Sequence, residues 1–496
     1  MKSAAVCAAA DTLNGASRRP VRHRVGILSA VLRKELLALL RDGRLISLAV
    51  AAFVVMAGFF ANAVHEHGRL RAERQAVGTT VQQQWNQQGV KNPHSAAHFG
   101  LYVFEPESAL AALDPGLRRH TGQALWLEPH KRNLPRFAPA ADDSAALRLG
   151  PASAAFLLYA MLPLLIIGLA FNSVAQEREQ GTLRMLHCLG LSTSRLLGAK
   201  LAGLLLAVSA VFLPAILLAV LLLDASMGLG ADAFWRVGLT SLAYFVYFAI
   251  FAALGLAASS CLRTRRLALL VLMGFWLLSV LVAPRLGASL AERLVSLPSA
   301  TEFWSAIRTD IDQGLPGDGN AATRLAGFEA ATLARYGVSR VDDLPVGYAS
   351  LRRTFNDAYS AKVHDLHFGR LRASITRQAA LMRLAAPLGP TLAMRALSMT
   401  LAGTDLAHRH AFDDSAEAHR RYFIGLTEQW DQARSQGQSR DARADTADYR
   451  SVQAFAFGTP GLGLAWAAAW PDAALLLAWA ALALAALWLA ARSLKP

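Results

Sequence analysis

Histidines are the residues of this chain whose spacing could bind a metal ion. His94 and His98 are four residues apart and His364 and His367 are three apart, so each pair can lie on one face of a helix. Two imidazoles on one face can share a transition-metal ion. Pro93 predicts a turn before His94, however, and no cysteine is nearby to complete a site. The sequence therefore assigns no metal ligands.

A membrane-embedded enzyme, or a metal-handling maturation factor, is the alternative function that these histidines allow. An enzyme would require titratable groups that converge near the outer leaflet of a membrane, and the candidates are His94, Glu128, His130 and Asp405. The sequence contains these residue types but does not establish that they meet. We assign no catalytic residue.

A polar loop after the second apolar stretch contains the sharpest local motif. Its residues of interest are Glu177, Glu179, Gly181, Thr182 and Leu183. Acidic side chains at the carboxyl end of a helix oppose its dipole unless they meet a partner. The glycine permits a turn and the threonine can cap the helix that follows. We expect an exposed loop, which is either a solvated loop with locally paired acids or a docking surface for another protein.

Six uncharged apolar stretches must position these residues. A helix crosses the hydrocarbon layer with about 20 apolar residues, and the six stretches have that length. The sequence predicts an all-α polytopic membrane protein, divided as follows: a tail (1–24), an amphipathic interface helix (25–44), six spans (45–64, 151–174, 201–223, 237–262, 267–284 and 473–491), the loop 175–200, segment 1 (65–150) and segment 2 (285–472).

Lysine and arginine are concentrated on one predicted side of the membrane. Residues 1–44, the loops 175–200 and 263–266, and the tail after the last span contain 18 basic and 5 acidic residues, against 32 and 30 in the rest of the chain. Short cytoplasmic segments contain the excess of positive charge. We therefore predict that both termini are cytoplasmic and that segments 1 and 2 are extracytoplasmic.

The composition excludes an ordinary soluble protein and a nucleic-acid partner. The chain is 54% apolar and only 17% charged, whereas about 25% is usual for soluble domains. Its net charge of +15 is explained by orientation in, and attraction to, the lipid bilayer. Segments 1 and 2 contain no cysteine, so packing alone must hold them together.

Segments 1 and 2 together predict a mainly helical extracytoplasmic domain. Helices are expected near 302–313, 321–336, 347–379 and 416–433, with Pro-Gly-rich turns between them. The polar stretch 436–450 is expected to be a solvated connection or a mobile loop. The aromatic side chains of this region are expected to pack in the domain core.

The loop motif resembles a known family. Residues 177–183 read E-R-E-Q-G-T-L and are followed by Gly198-Ala199-Lys200, which resembles the E-x-E-x-G-T-L … G-K pattern of type-2 ABC transporter membrane subunits. An amphipathic helix before the first of six spans is similar to that family as well. Blocks at 92–100, 126–133 and 401–412 resemble a bacterial subgroup with a large extracytoplasmic domain of unknown function.

The resemblance implies a non-catalytic permease subunit in the bacterial inner membrane. Residues 177–196 would form a coupling helix seated in a separate ATPase subunit, and Glu177, Glu179, Gly181, Thr182 and Leu183 would contact that subunit. ATP and Mg²⁺ would bind to the ATPase, since this chain contains no G-x-x-x-x-G-K-[S/T] loop and is expected to bind no cofactor. A second permease copy or a paralogue would complete the complex, which would export a substrate or move the extracytoplasmic domain.

Overall fold

The computed structural model describes residues 29–37, 41, 43–138, 153–188 and 191–494. The predicted tail at 1–24 and the predicted start of span 2 lie outside the described residues. Within the described residues, six helices are long and apolar enough to cross a membrane. This number and the predominance of helix confirm the predicted all-α polytopic class.

The helices are numbered here in chain order. The six that contain the apolar spans are α2, α4, α7, α8, α9 and α16. The helices are α1 (29–37), α2 (Gly43–Asn86), α3 (Pro93–Ala97), α4 (154–170), α5 (Ala175–Glu179), α6 (Thr182–Cys188), α7 (Thr193–Met227), α8 (Ala231–Cys261), α9 (Arg265–Leu294), α10 (Ala300–Gln313), α11 (Ala321–Tyr336), α12 (Tyr348–Met382), α13 (Thr391–Ala402), α14 (Leu406–Arg434), α15 (Thr446–Ser451) and α16 (Leu462–Ser493).

Two of the long helices accommodate a proline through a turn of π-helix. In α9 the turn Leu278–Val282 comes just before Pro284, and in α4 the turn Leu157–Met161 comes just before Pro163. A proline lacks an N–H and its ring crowds the preceding turn, which a wider turn relieves. Helix α9 therefore continues beyond the predicted end of span 5 at Pro284.

Helix α2 joins the first apolar span to segment 1 without a break. It contains 44 residues, which corresponds to about 66 Å of helix. Its last turn contains Trp85, whose side chain is fully buried. The indole packs edge-on against Phe423 and Tyr449, with ring centroids 5.6 and 5.8 Å away. The helix of the first span therefore ends inside an apolar core that lies beyond the span and includes residues of segment 2.

Segments 1 and 2 fold together into one domain, called here the inter-span domain. Its core combines apolar side chains of α2 and the segment 1 strands with side chains of α14 and α15. Segment 1 adds one feature that the sequence analysis did not predict, a two-stranded antiparallel sheet. Strands β1 (Leu101–Phe104) and β2 (Ala124–Leu127) pair with Leu101 opposite Leu127.

The predicted helices of segment 2 all occur, as α10, α11, α12 and α14. The expectation for residues 436–450 was wrong in part. Tyr449 is fully buried in α15, and Ala444 is buried in a bridge to Lys91 of segment 1. A polar composition did not reveal the few apolar side chains that fix this stretch to the core.

Helix α13 connects the inter-span domain to the spans. Its small and apolar side chains are largely buried, including Ala393, Met394, Leu397 and Leu401. These four belong to the same apolar core as α4, α7, α8 and α16. The domain is therefore fixed to the membrane-spanning helices by packed side chains as well as by chain connections.

Candidate functional site

The predicted coupling segment is formed by the two short helices α5 and α6. Gly181 separates them with φ +75°, in the left-handed region that glycine adopts readily. A Cβ on Gly181 would meet no atom within 4 Å, so the backbone conformation and not crowding calls for glycine. The Thr182 hydroxyl donates a hydrogen bond to the Glu177 carbonyl at 3.2 Å, which ties the two helices across this turn.

Glu177 is buried and lies in a cluster of charged groups that is itself only partly buried. Its Oε1 accepts from Lys34 Nζ at 2.7 Å and from Lys200 Nζ at 3.1 Å, while Lys200 also contacts Glu35 at 3.0 Å. Partial burial disfavours the charge on Lys34, but the hydrogen bond and the charge of Glu177 outweigh it and raise the pKa of the Lys34 ammonium. The cluster joins α1, α5 and α7, so these helices are held together beside the coupling segment.

The sequence analysis expected exposed side chains throughout this loop, and this was wrong for two of them. Glu177 and Leu183 are 8% and 2% exposed, because they pack inward against the neighbouring helices. Glu179 and Gly181 are exposed, and Thr182 is half-buried. Buried residues can shape the segment, but they cannot provide its outer surface.

The outer surface of the coupling segment includes residues that the sequence analysis did not select. Arg184 is exposed, and the Met185 side chain is 57% exposed. Methionine and arginine are both enriched at protein interfaces, and the flexible apolar side chain of methionine can adapt to the surface of a partner. The available signal was the helical period of α6, in which Leu183 faces inward and Met185 faces outward.

Side chains of the coupling segment also bind the end of α8. Arg178 donates to the Leu262 carbonyl at 2.8 Å and to the Ser260 carbonyl. Ser259 Oγ accepts from the N–H groups of Val174 and Ala175, both at 3.1 Å, where the chain passes from α4 to α5. This hydroxyl satisfies backbone donors that a helix start leaves without partners.

The exposed Glu179 reaches the loop at 263–266. Its carboxylate lies 3.5 Å from Arg265 Nε and also accepts from the Arg265 backbone N–H at 3.3 Å. The two short loops between spans that were predicted to be cytoplasmic are therefore in contact.

The middle and the start of α8 contact the inter-span domain. Tyr247 Oη lies 2.9 Å from Thr391 Oγ1, and Tyr244 Oη lies 3.3 Å from Ser398 Oγ. Nearer the start of α8, buried Arg236 donates to the Leu401 carbonyl at 3.2 Å. These contacts fix α8 to α13 through polar groups that have little access to water.

The two histidine pairs that the sequence suggested differ in the structure. His94, His98 and His130 lie together, with one ring nitrogen from each within 4.8 Å of the others. His364 and His367 do not form a pair. His364 Nδ1 contacts the Ser360 carbonyl at 2.8 Å, and His367 Nε2 contacts Asp310 at 2.8 Å.

The enzyme candidates converge only in part. Glu128 accepts a hydrogen bond from Asn133 at 2.7 Å, and Asp405 caps α14 and contacts His408 Nδ1 at 2.5 Å. Asp405 is therefore engaged in a structural contact. The sequence alone could not distinguish it from a residue that belongs to a reactive site.

Two families match parts of the chain. Residues 143–307 match the ABC-2 family transporter protein family, and residues 300–458 match a domain of unknown function, DUF3526. The first match includes the coupling segment and helices α7 to α9, and the second includes most of segment 2. No curated protein matches the chain.

Proposed function

We propose that this chain, which belongs to the ABC-2 family of membrane transporters and contains an additional domain of unknown function, is a permease subunit driven by a separate ATPase. The match to this family supports the interpretation that the chain is a multi-pass membrane protein and that its partner is an ABC ATPase. In our proposal, ATP and Mg²⁺ bind to the partner, and its movements are transmitted by this chain to the inter-span domain.

The observation that carries this proposal is the position of α8. The end of this helix is bound to the coupling segment through Ser259 and Arg178, and its middle and its start are bound to α13 through Tyr247 and Arg236. The helix has 31 residues, or about 46 Å. A displacement of the coupling segment would therefore move a rigid helix that is fixed to the inter-span domain.

The coupling segment would receive force through its exposed surface. Met185, Arg184 and Glu179 supply one apolar and two charged side chains for an ATPase groove, while Leu183 anchors α6 to the membrane helices. Glu177 would act behind this surface by holding the segment to α1 and α7. The proposed coupling residues thus divide into those that touch the partner and those that transmit its movement.

The complex would also contain a second permease copy or a paralogue, within the lipid bilayer of a bacterial inner membrane. Helix α2 has large apolar side chains on its surface, with Val50 and Val54 exposed by 55% and 60%. Such a surface fits lipid or another membrane helix. Movement at a seam between two copies could open a path for export, but the contacts of α8 favour direct movement of the inter-span domain.

The test uses the full chain in lipid nanodiscs, reconstituted with its ATPase partner. Hydrogen exchange is compared between the nucleotide-free complex and the complex trapped with ADP and vanadate. We expect exchange in α12 to α14 to change on trapping, and to stop changing in Met185→Asp. Met185→Leu, which keeps an apolar side chain, is the matched control and should behave as the wild type.

Two results would contradict the proposal. One is ATP turnover by the purified chain alone that survives removal of contaminating ATPases. The other is an ATPase that binds and turns over normally while the inter-span domain shows no nucleotide-dependent change. The second result would favour export at the seam between two copies.

A further inference from the structure

We propose that His94, His98 and His130 form a binding site for one divalent transition-metal ion, with zinc as the ion that fits best. The site lies on segment 1, at its contact with α12 and α14, and is separate from the coupling segment. The proposal does not depend on the ATPase partner.

The ring nitrogens already have a spacing suited to one ion. His94 Nε2 and His98 Nε2 are 3.1 Å apart. Two imidazole nitrogens bound to a tetrahedral zinc ion at about 2.0–2.1 Å each would be about 3.3 Å apart. The His130 ring lies beside both, with its centroid 5.2 Å from that of His94 and 5.4 Å from that of His98.

The backbone presents His94 and His98 on the same side. Asn92 caps α3 by accepting from the His94 N–H at 3.0 Å, and Pro93 occupies the start of the helix, where it has no N–H to lose. The sequence analysis expected Pro93 to place a turn before His94, whereas Pro93 is the first residue of the helix that contains His94. His98 is the next residue after α3 and faces the same way.

His130 is held in an unusual conformation. Its φ is +63° in the turn that joins Glu128 to Lys131, where Pro129 precedes it. Few residues other than glycine adopt this region, and such conformations cluster at binding sites. The turn places the His130 ring beside those of His94 and His98.

Carboxylates orient two of the three rings. Glu428 Oε1 lies 2.6 Å from His94 Nδ1, and Asp357 Oδ1 lies 2.6 Å from His130 Nδ1. When Nδ1 donates its hydrogen to a carboxylate, Nε2 of the neutral ring is left with the lone pair that binds a metal. Metal-bound histidines usually donate their other ring N–H to a carboxylate, a backbone carbonyl or water, and such a partner orients the ring and makes it a stronger ligand.

The supporting carboxylate of His94 is itself fixed. Glu428 is 3% exposed, accepts from Ser350 at 2.7 Å and contacts Arg353 Nε at 3.2 Å. These groups belong to α12 and α14, whereas the histidines belong to segment 1. The ligands of a bound ion would therefore all come from segment 1, while segment 2 supplies the carboxylates that orient them.

The ligand set indicates the class of ion. Imidazole favours zinc, copper and nickel over calcium and magnesium, which prefer oxygen. His98 and His130 are exposed, so the fourth coordination position faces solvent and can hold water or a small ligand. Three histidines with one open position is the arrangement of an accessible zinc site rather than a closed structural one.

The test measures zinc binding by the full-length protein in detergent, purified with a tag that contains no histidine and stripped with a chelator. Equilibrium dialysis gives stoichiometry and affinity, and the visible absorption of Co²⁺ reports tetrahedral geometry. The variants are His98→Ala and His130→Ala, since both side chains are exposed and their loss should not prevent folding. His120→Ala removes an exposed histidine of segment 1 outside the cluster and is the control.

We expect one Zn²⁺ ion per chain in the wild type and in His120→Ala, with affinity at least 100-fold weaker in each cluster variant. Zinc should raise the thermal midpoint of the wild type but not of those variants, because an ion that binds only the folded state stabilises it. The proposal is overturned if the wild type binds no zinc, or if the variant lacking both His98 and His130 binds it with unchanged affinity. Equal thermal midpoints without zinc will verify that the variants are folded.

Discussion

Lys200 and Glu177 form an ion pair of 3.1 Å between Nζ and Oε1, in which the two side chains are only 2% and 10% exposed. Lys200 begins the apolar part of α7, and Glu177 lies in the coupling segment. The pair therefore links the segment to a membrane helix where water cannot compete strongly for either charge.

Glu177→Gln should destabilise the chain more than Glu179→Gln. The first change replaces the carboxylate charge that Lys34 and Lys200 both contact with a neutral amide, while Lys200 retains Glu35 at 3.0 Å, so we expect a loss of about 1–3 kcal/mol. The second removes only an exposed contact with Arg265, worth less than about 1 kcal/mol. Thermal midpoints in detergent would measure the difference. Equal midpoints would show that the charged cluster contributes little.

Gly181→Val should impair coupling, whereas Gly181→Asn should be tolerated. The φ of +75° is costly for a β-branched residue, by about 1–2 kcal/mol, but asparagine adopts this region more easily. No steric clash contributes, since a Cβ would meet nothing within 4 Å. Stimulation of the partner ATPase by each variant is the measurement. Normal stimulation by the valine variant would refute a need for this turn.

Trp85→Ala should open the inter-span domain. The side chain is fully buried and its Nε1 donates to the Tyr449 carbonyl at 3.0 Å, so we expect a loss of about 3–5 kcal/mol. Limited proteolysis should cut segment 2 faster than in the wild type. Val90→Ala, at a position that is 70% exposed, is the control and should resist cleavage normally. Unchanged cleavage of the tryptophan variant would contradict a shared core.

The predicted orientation can be tested with single cysteines. In a chain without its three native cysteines, Ser95→Cys and Ser339→Cys place thiols at exposed positions in segments 1 and 2. Both should react with an impermeant thiol reagent on intact cells, provided the outer membrane is permeabilised. In the wild type, exposed Cys188 and Cys261 should react only after the inner membrane is broken. The reverse pattern would invert the topology.

Asp357→Asn should weaken zinc binding about 10- to 100-fold, since it removes the carboxylate that accepts from His130. Asp365→Asn changes an exposed aspartate on the same helix, which contacts Arg421 instead, and is the matched control. Equilibrium dialysis of both variants provides the comparison. If the two variants bind zinc equally well, the carboxylate does not support the site.

The sequence by itself determined the membrane class and much of the helical pattern. Six uncharged stretches of bilayer length can satisfy their backbone groups in lipid only as helices, so their number followed from composition. The helices of segment 2 followed from apolar periodicity and from turn residues. The resemblance of residues 177–183 to a coupling motif could also be recognised from the sequence, because the residues of that motif are consecutive in the chain.

Only the tertiary structure decided which of these residues are exposed and which are buried. Glu177 and Met185 both lie in the same short segment, but one is buried against Lys200 and the other is 57% exposed. The sequence analysis selected Glu177 as a contact for the partner and did not select Met185. The difference depends on the charges that α1 and α7 bring to the segment, and local spacing does not encode them.

The histidine cluster was also decided by tertiary structure. His94 and His98 were visible as a pair, but His130 is 32 residues beyond His98 and the carboxylates of Asp357 and Glu428 are more than 200 residues away. Long-range packing of segment 1 against α12 and α14 brings them together. Periodicity reports which face a residue occupies on its own element, whereas the meeting of two elements is fixed by the burial of apolar surface contributed by both.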